Sequence, residues 1–162
     1  MATANKNLSE YDIKSVPNAK TMQFAIVVAE WNINITSNLL KGAYDTLIKH
    51  GALKKNILVK YVPGSFELPI AAQTIIEKTD VDAVICLGSV IQGDTKHFDF
   101  VCNTTALGIK DVALSYNVPV IFGVLTDNTL QQAIDRSGGK HGNKGDEAAI
   151  TAIKMVHFQK EI

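Results

Sequence analysis

The sequence predicts an α/β protein in which helices cover both faces of a four-stranded parallel sheet, a three-layer α/β/α sandwich. Four short apolar runs alternate with longer segments of helical period. These runs lack the in-and-out alternation of a half-solvated sheet, which indicates burial on both faces. With 162 residues, the chain has the length of one domain and needs no disulfide or structural metal to bury a core.

The strands and helices are predicted in regular order along the chain. The strands are expected at 24–29, 57–62, 83–87 and 118–124, where apolar and β-branched residues cluster. Helices are expected between the first two strands, beginning around 65–69, at about 99–116, at 130–136 and from 144 to about 159. The order βαβαβαβαα is typical of a flavodoxin-like sandwich.

The first helix shows the pattern most clearly. Leu39, Ala43 and Leu47 recur on one helical face, and Gly51 is placed to end the helix. By contrast, residues 1–21 are polar, contain Pro17 and show no sustained period. We therefore expect an N-terminal arm over 1–21 that orders only against something else, and a single domain over 22–162.

Charge and composition exclude several classes of function. Sixteen basic and sixteen acidic residues cancel, so no long-range field would attract nucleic acid or an anionic membrane. No apolar run reaches the roughly 18 residues of a membrane span, and no signal peptide is recognisable, so we expect a cytoplasmic protein. Cys86 and Cys102 lack metal-ligand spacing and are expected to be reduced core residues.

The turn after the first predicted strand contains Trp31, the one tryptophan of the chain. The carboxyl ends of parallel strands share one edge of the sheet, where ligands of open α/β folds bind. Trp31 at such a strand end can stack on a planar ligand. The alternative is that its ring caps the core or fills a subunit contact.

The turn after the second strand, PGSFELP, is stiff and opens into a helix. Ser65 is interpreted as the N-cap of that helix, and Glu67 as an anion stabilised by its positive end. Capping alone accounts for both residues, but it does not account for an exposed Phe66 beside them. Helix-start amides next to an aromatic ring suit a flat heterocycle.

The turn after the third strand, GSVIQGDTKH, leads to another helix start. Backbone amides and the Thr95 hydroxyl favour phosphate binding there, although neither a dinucleotide nor a P-loop fingerprint is present. His97 follows, and imidazole accepts and returns protons near neutral pH. A purely structural histidine is the alternative.

The last turn region, RSGGKHGNKG, combines basic side chains with four glycines. Arg136 is able to clamp a phosphate with two hydrogen bonds, as a phosphorylated substrate would need. A solvated loop between two helices is the competing interpretation. Lys144 is expected to begin the final helix.

Together, the segments VVAEWN, YVPGSFELPIAA, AVICLGSVIQGDTKHFDFVC, VPVIFGVLT and QQAIDRSGGKHGNKG resemble the 6,7-dimethyl-8-ribityllumazine synthase family, in order and at matching spacing. The resemblance implies condensation of 5-amino-6-(D-ribitylamino)uracil with 3,4-dihydroxy-2-butanone 4-phosphate. The products would be the lumazine, phosphate and water, in the penultimate step of riboflavin biosynthesis. The resemblance implies no metal or organic cofactor.

The resemblance also assigns site residues. The pyrimidine and ribityl chain would be held by Trp31, Ser65, Phe66, Glu67, Ser89, Val90, Ile91 and Phe122. The butanone phosphate would be held by Asp94, Thr95 and Arg136, with His97 transferring protons. Phe122 and Arg136 would come from across a subunit boundary. Gln92 replaces a commonly basic residue and Asp94 a commonly small neutral one, which removes positive charge from the phosphate loop.

The resemblance further implies a homo-oligomer. A pentamer is the minimum, and the short connection before the final helix accompanies closure into an icosahedral sixty-subunit shell, with riboflavin synthase as a possible partner. Three alternatives are open: a riboflavin synthase of similar fold, a flavin-binding or encapsulating shell without turnover, and a flavodoxin-like electron carrier. The carrier has no use for the arginine-lysine segment.

Overall fold

The structure is a computed structural model that describes residues 7–162. Six strands and five helices form its regular elements, besides short 3-10 turns. The strands are β1 (Phe24–Ala29), β2 (Ile57–Val62), β3 (Ala83–Ile91), β4 (Val120–Asp127), β5 (Ser137–Gly139) and β6 (Gly142–Asn143). The helices are α1 (Ile33–Lys49), α2 (Leu68–Lys78), α3 (His97–Tyr116), α4 (Leu130–Arg136) and α5 (Lys144–Glu161).

The first four strands form one parallel sheet in the order β2-β1-β3-β4. Phe24 of β1 is opposite Ile57 on one side and Ala83 on the other, so β1, β2 and β3 begin at the same level of the sheet. The predicted four-stranded parallel sheet is confirmed. All its strands point their carboxyl ends toward the same edge.

Alternate residues of β1 face two different helical layers, as the pleat of a strand requires. Phe24, Ile26 and Val28 are fully buried in a core shared with α1 and α5. Ala25 and Val27 are buried against α2 and α3 in a second core. The predicted three-layer α/β/α sandwich is therefore confirmed, with the sheet between two cores.

The third and fourth strands are longer than the sequence indicates. Their ladder continues to the pair Ile91 and Asp127, past the Gly88-Ser89 step that resembles a turn in the sequence. The fourth strand begins at Val120 instead of 118, after Asn117 turns the chain in the left-handed region with φ 52. At Gly88 and Ser89, the pairing of β3 with β4 overrides the local turn signal.

The turn region after α4 contains two short strands that the sequence pattern does not predict. Ser137–Gly139 and Gly142–Asn143 pair as a short antiparallel hairpin. Gly138 and Gly142 have φ +110 and +80, conformations that favour glycine. The glycines thus shape a defined hairpin, and Lys144 begins the final helix as predicted.

The described part of the N-terminal arm, residues 7–21, packs against the domain of its own chain. Val16 and Ala19 join the first core, and the Ala19 amide donates to the His50 carbonyl over 2.9 Å. The Tyr11 hydroxyl and His50 Nε2 are 2.9 Å apart. Residues 1–6 lie outside the described part, and the domain boundary at residue 22 stays a prediction.

None of the helices within residues 7–162 is both long enough and apolar enough to cross a bilayer.

Candidate active site

A cavity of about 470 Å³ opens beyond the carboxyl ends of β1, β2 and β3. It lies at the sheet edge where the strand-end turns were expected to converge. Nine of the twelve predicted site residues line it: Trp31, Ser65, Phe66, Glu67, Ser89, Val90, Ile91, Thr95 and His97. The three that do not are Asp94, Phe122 and Arg136.

Backbone hydrogen bonds tie the first two turns together. The Trp31 amide donates to the Pro63 carbonyl over 3.1 Å, directly beyond the last β1–β2 pair. Asn32, in the left-handed region with φ 58, donates from Nδ2 to the Ser89 carbonyl over 2.9 Å. The turn carrying Trp31 is therefore held against both neighbouring strands.

Two aromatic side chains stand in the mouth of the cavity. Trp31 is 73% exposed and Phe66 57% exposed. Isolated large apolar side chains are common on protein surfaces, but two of them lining one cavity indicate a binding surface. Their exposed π-faces are available to a planar ligand.

Two closely packed serines contribute polar groups to the cavity. Ser65 and Ser89 are buried, and the Ser65 carbonyl accepts a hydrogen bond from Thr105 Oγ1 over 3.2 Å. A Cβ on Gly88 would collide with the Ser65 hydroxyl, so only glycine fits between them. Ser89 Oγ is buried and has no hydrogen-bond partner among the described residues.

The interpretation of Ser65 as a helix N-cap is wrong. Ser65 begins the 3-10 turn Ser65–Glu67, and its hydroxyl caps no helix. The α-helix starts later, at Leu68, followed by Pro69 in its first turn. The extra turn buries the Ser65 side chain against β3 instead of leaving it at a helix end.

The third turn presents the start of α3 to the cavity. The Gln92 amide donates to the Asp127 carbonyl over 2.9 Å, which closes the β3–β4 ladder before the loop begins. The loop leads to His97, the first residue of α3, whose amide contacts Thr95 Oγ1 at 3.4 Å. Thr95 and His97 thus line the same cavity at the start of α3.

Helix α3 contributes two more lining residues, Phe98 and Val101, that the sequence reasoning missed. The helix was predicted to begin at residue 99, but it begins at His97. An earlier start turns its first residues toward the cavity.

Phe122 and Arg136 lie away from the cavity of their own chain. Phe122 is in the middle of β4 and packs against the core shared with α2 and α3. Arg136 ends α4, and its Nε lies 3.4 Å from Asp127 Oδ1. One chain therefore holds a cavity without the predicted arginine clamp.

Asp127, the partner of Arg136, is a residue that sequence reasoning missed. Burial raises the pKa of its carboxyl above the ordinary value, while the Arg136 guanidinium acts in the opposite direction. An acidic residue at a strand end lies at the sheet edge where ligands bind, and this position could have identified Asp127 from the sequence. Because the strand was predicted to end at residue 124, Asp127 was not recognised as a strand-end residue.

Other reactive groups are few in the described part of the chain. Among residues 7–162, no group of three or more His, Cys, Asp or Glu side chains is placed to hold a metal ion. Both cysteines are free, and burial raises the pKa of the Cys86 thiol to about 12. Such a buried thiol is not a nucleophile at neutral pH.

A cavity lined by aromatic and apolar side chains with a few polar groups, beyond the strand ends of a parallel sheet, defines an α/β protein that acts on a small molecule. The family model of 6,7-dimethyl-8-ribityllumazine synthase matches residues 21–160. The chain belongs to this family.

Curated relatives agree over nearly their whole length. A 6,7-dimethyl-8-ribityllumazine synthase of Parabacteroides distasonis is 60% identical over 158 residues, covering 98% of this chain and 99% of the relative. One from Phocaeicola vulgatus is 58% identical over 100% of this chain and 96% of its own. One from Cytophaga hutchinsonii is also 58% identical, over 96% of this chain and 98% of its own.

Proposed function

We propose that this cavity forms 6,7-dimethyl-8-ribityllumazine from 5-amino-6-(D-ribitylamino)uracil and 3,4-dihydroxy-2-butanone 4-phosphate. The observation that carries the proposal is the convergence of nine strand-end residues on one cavity, in a chain of this family. The cavity volume of about 470 Å³ lies in the range of small-molecule sites. The reaction releases phosphate and water.

The pyrimidine half of the cavity is the part built within one chain. The uracil ring stacks on Trp31 and Phe66, whose faces are exposed at the mouth. The hydroxyls of Ser65 and Ser89 and the carboxylate of Glu67 supply hydrogen bonds to the ring and the ribityl chain. Val90 and Ile91 provide the apolar contact beneath them.

The phosphate half uses the loop before α3. The Thr95 hydroxyl and backbone amides of the loop and helix start bind the phosphate oxygens. Asp94 contributes its amide, while its carboxylate points away from the anion, since two negative charges repel. Arg136 of a neighbouring copy adds the fixed positive charge, and Phe122 of that copy closes the ring site.

Proton transfer falls to His97, which lines the cavity at the start of α3. The 5-amino group attacks the ketone, and water leaves as the imine forms. Elimination then breaks the C–O bond to phosphate, and attack of the ribityl-bearing nitrogen on the resulting carbonyl closes the ring with loss of water. His97 moves protons during these steps, while proximity of the two substrates supplies much of the acceleration.

A shared site requires assembly, and α3 offers a surface for it. Phe100, Leu107 and Leu114 are exposed and recur every seven residues, so they form one stripe on the helix. An exposed apolar stripe of this kind indicates a protein contact. We propose a pentamer, closing into an icosahedral sixty-subunit shell that can accommodate riboflavin synthase, in the cytoplasm.

The test is to mix the purified protein with both substrates and follow the absorbance of the lumazine. Accumulation of lumazine is the expected result. Conversion of added lumazine to riboflavin would instead identify a riboflavin synthase. Absence of any product at saturating substrates would contradict the proposal and favour a shell protein without turnover.

Light scattering under the same conditions tests the assembly. The mass expected is that of a pentamer or a multiple of it. A monomer that turns over at the full rate would contradict the shared site.

A further inference from the structure

We propose that Asp127 is a positioning residue for Arg136: it holds the guanidinium by its Nε edge and leaves the two terminal amino groups directed outward for the phosphate. This inference deepens the proposed function, because it rests on the assignment of Arg136 to the butanone phosphate. Asp127 itself does not touch the substrate in this account.

The two ends of the ion pair differ in their surroundings. Arg136 Nε lies 3.4 Å from Asp127 Oδ1, and the Asp127 side chain is 7% exposed against 39% for Arg136. The acid is therefore fixed inside the protein, and the arginine extends from it toward solvent. No other partner of the guanidinium exists among the described residues.

The acid is anchored on both sides along the backbone. Asp127 is the last residue of β4, and its carbonyl accepts the Gln92 amide over 2.9 Å. Two residues later, Thr129 caps α4 by accepting the Gln132 amide at its Oγ1 over 3.2 Å. Arg136 ends this same helix, so strand, turn and helix fix the separation of the pair.

Burial makes the Asp127 carboxylate dependent on the positive charge of Arg136. Asp127 Oδ2 is buried without a hydrogen-bond partner in residues 7–162, which makes the Arg136 charge its main compensation. A buried charge that loses its one partner is strongly unfavourable, so the pair resists separation. An arginine held at Nε keeps its two terminal amino groups for bidentate contact with an oxyanion.

Positioning has a measurable advantage for binding. A long arginine side chain loses rotamer freedom when it grips a ligand, and a pre-ordered side chain loses less. Asp127 thereby improves phosphate binding at a distance from the pyrimidine. The predicted signature is a change in KM for one substrate only.

The experiment compares Asp127→Ala and Asp127→Asn in the full assembled protein. Asp127→Ala should raise KM for the butanone phosphate about tenfold, in the range that contacting pairs show in double-mutant cycles, with little change in kcat or in KM for the pyrimidine. Asp127→Asn should stay within about twofold of the parent protein, because its amide oxygen can accept a hydrogen bond from Nε in the place of the carboxylate. Asn128→Ala, on the same turn without a side-chain contact to Arg136, is the matched control.

A double-mutant cycle with Arg136→Ala separates positioning from a general loss of structure. In the Arg136→Ala background, Asp127→Ala should add less than about a twofold change, because the residue it positions is gone. Calorimetry with inorganic phosphate provides a readout that does not require turnover and should show the same pattern. If Asp127→Ala does not fold, Asp127→Val replaces the carboxyl with an apolar group of similar size.

The outcomes distinguish the two claims. If Arg136→Ala weakens phosphate binding while Asp127→Ala has no effect, or an equal effect in both backgrounds, the positioning role is overturned and the proposed function stands. If Arg136→Ala itself has no effect, both the positioning role and the phosphate assignment of Arg136 are overturned. If the parent protein forms no lumazine, the proposed function fails and the phosphate calorimetry alone decides the positioning role.

Discussion

The cavity at the strand ends and the segment carrying Arg136 are built in opposite ways. Trp31, Ser65 and Ser89 are fixed by strand pairing and close packing within one chain. Arg136 is half-exposed outside that cavity and is held by a single ion pair. In the proposed shared site, one half is complete in the chain and the other half faces outward. Activity and assembly should therefore be inseparable.

Arg136→Ala should produce the largest single effect. Loss of charge-assisted hydrogen bonds to a phosphate costs roughly 1.5–3 kcal/mol, so KM for the butanone phosphate should rise about fiftyfold while KM for the pyrimidine changes little. Arg136→Lys keeps the charge without the bidentate geometry, so its KM for the butanone phosphate should lie between those of the parent protein and Arg136→Ala. Initial-rate kinetics with each substrate varied in turn measures this. An equal rise in both KM values would contradict the division into halves.

Trp31→Ala should weaken binding of the pyrimidine substrate. Removal of one stacking ring from a heterocycle costs about 1–3 kcal/mol, which predicts a rise of about twentyfold in KM for the pyrimidine. The Trp31 side chain is largely exposed, so the variant should fold normally. Trp31→Phe is the matched control and should stay near the parent value. A change confined to the phosphate substrate would reverse the assignment.

His97→Ala should have a smaller effect, on kcat. We expect a decrease of about tenfold, below the usual range for acid–base catalysis, because the amine and ketone are reactive once held together. A pH profile of kcat for parent and variant measures this. A rate that is unchanged at every pH would contradict the proton-transfer role.

The sheet was predictable because its apolar strands and helical periods agree with the final packing. The cavity half was also predictable, since parallel strands gather their carboxyl-end turns at one edge. The strand ends were not. Gly88 and Ser89 resemble a turn, but pairing with β4 continues to Asp127, which concealed the acid beside Arg136. Long-range pairing of this kind is not encoded in a local window.

The location of Arg136 was predictable only in part. The sequence correctly predicted a short helix at Leu130–Arg136, but composition alone left a basic loop and a phosphate clamp equally open. The hairpin that follows also was not predicted, because a polar segment interrupted by four glycines has no strand pattern. Its order depends on contacts with α1 and the N-terminal segment.

The smallest effect is expected outside both halves, at His50. Burial lowers the pKa of His50 below the ordinary 6.5 in the folded chain. The unfolded chain therefore binds more protons just below that value, and the free energy of unfolding should fall as the pH drops from about 6.5 toward the folded pKa. Urea unfolding of the parent protein and His50→Gln at fixed concentration measures the difference.

His50→Gln should flatten this dependence and leave both KM values unchanged. It thus serves as a variant that alters stability without altering the site. An unchanged pH dependence would contradict the buried neutral imidazole, and a raised KM would show that stability and site chemistry are not separate.

The most direct test of the shared site uses two damaged chains. Arg136→Ala lacks the outward half, and the double variant Trp31→Ala, Phe66→Ala lacks the stacking half. Refolded together in equal amounts and assayed at low substrate, they should regain about one quarter of the parent activity, because that fraction of random neighbour pairs combines two intact halves. If the mixture shows only the average of the two separate preparations, each site lies within one chain and the account is wrong.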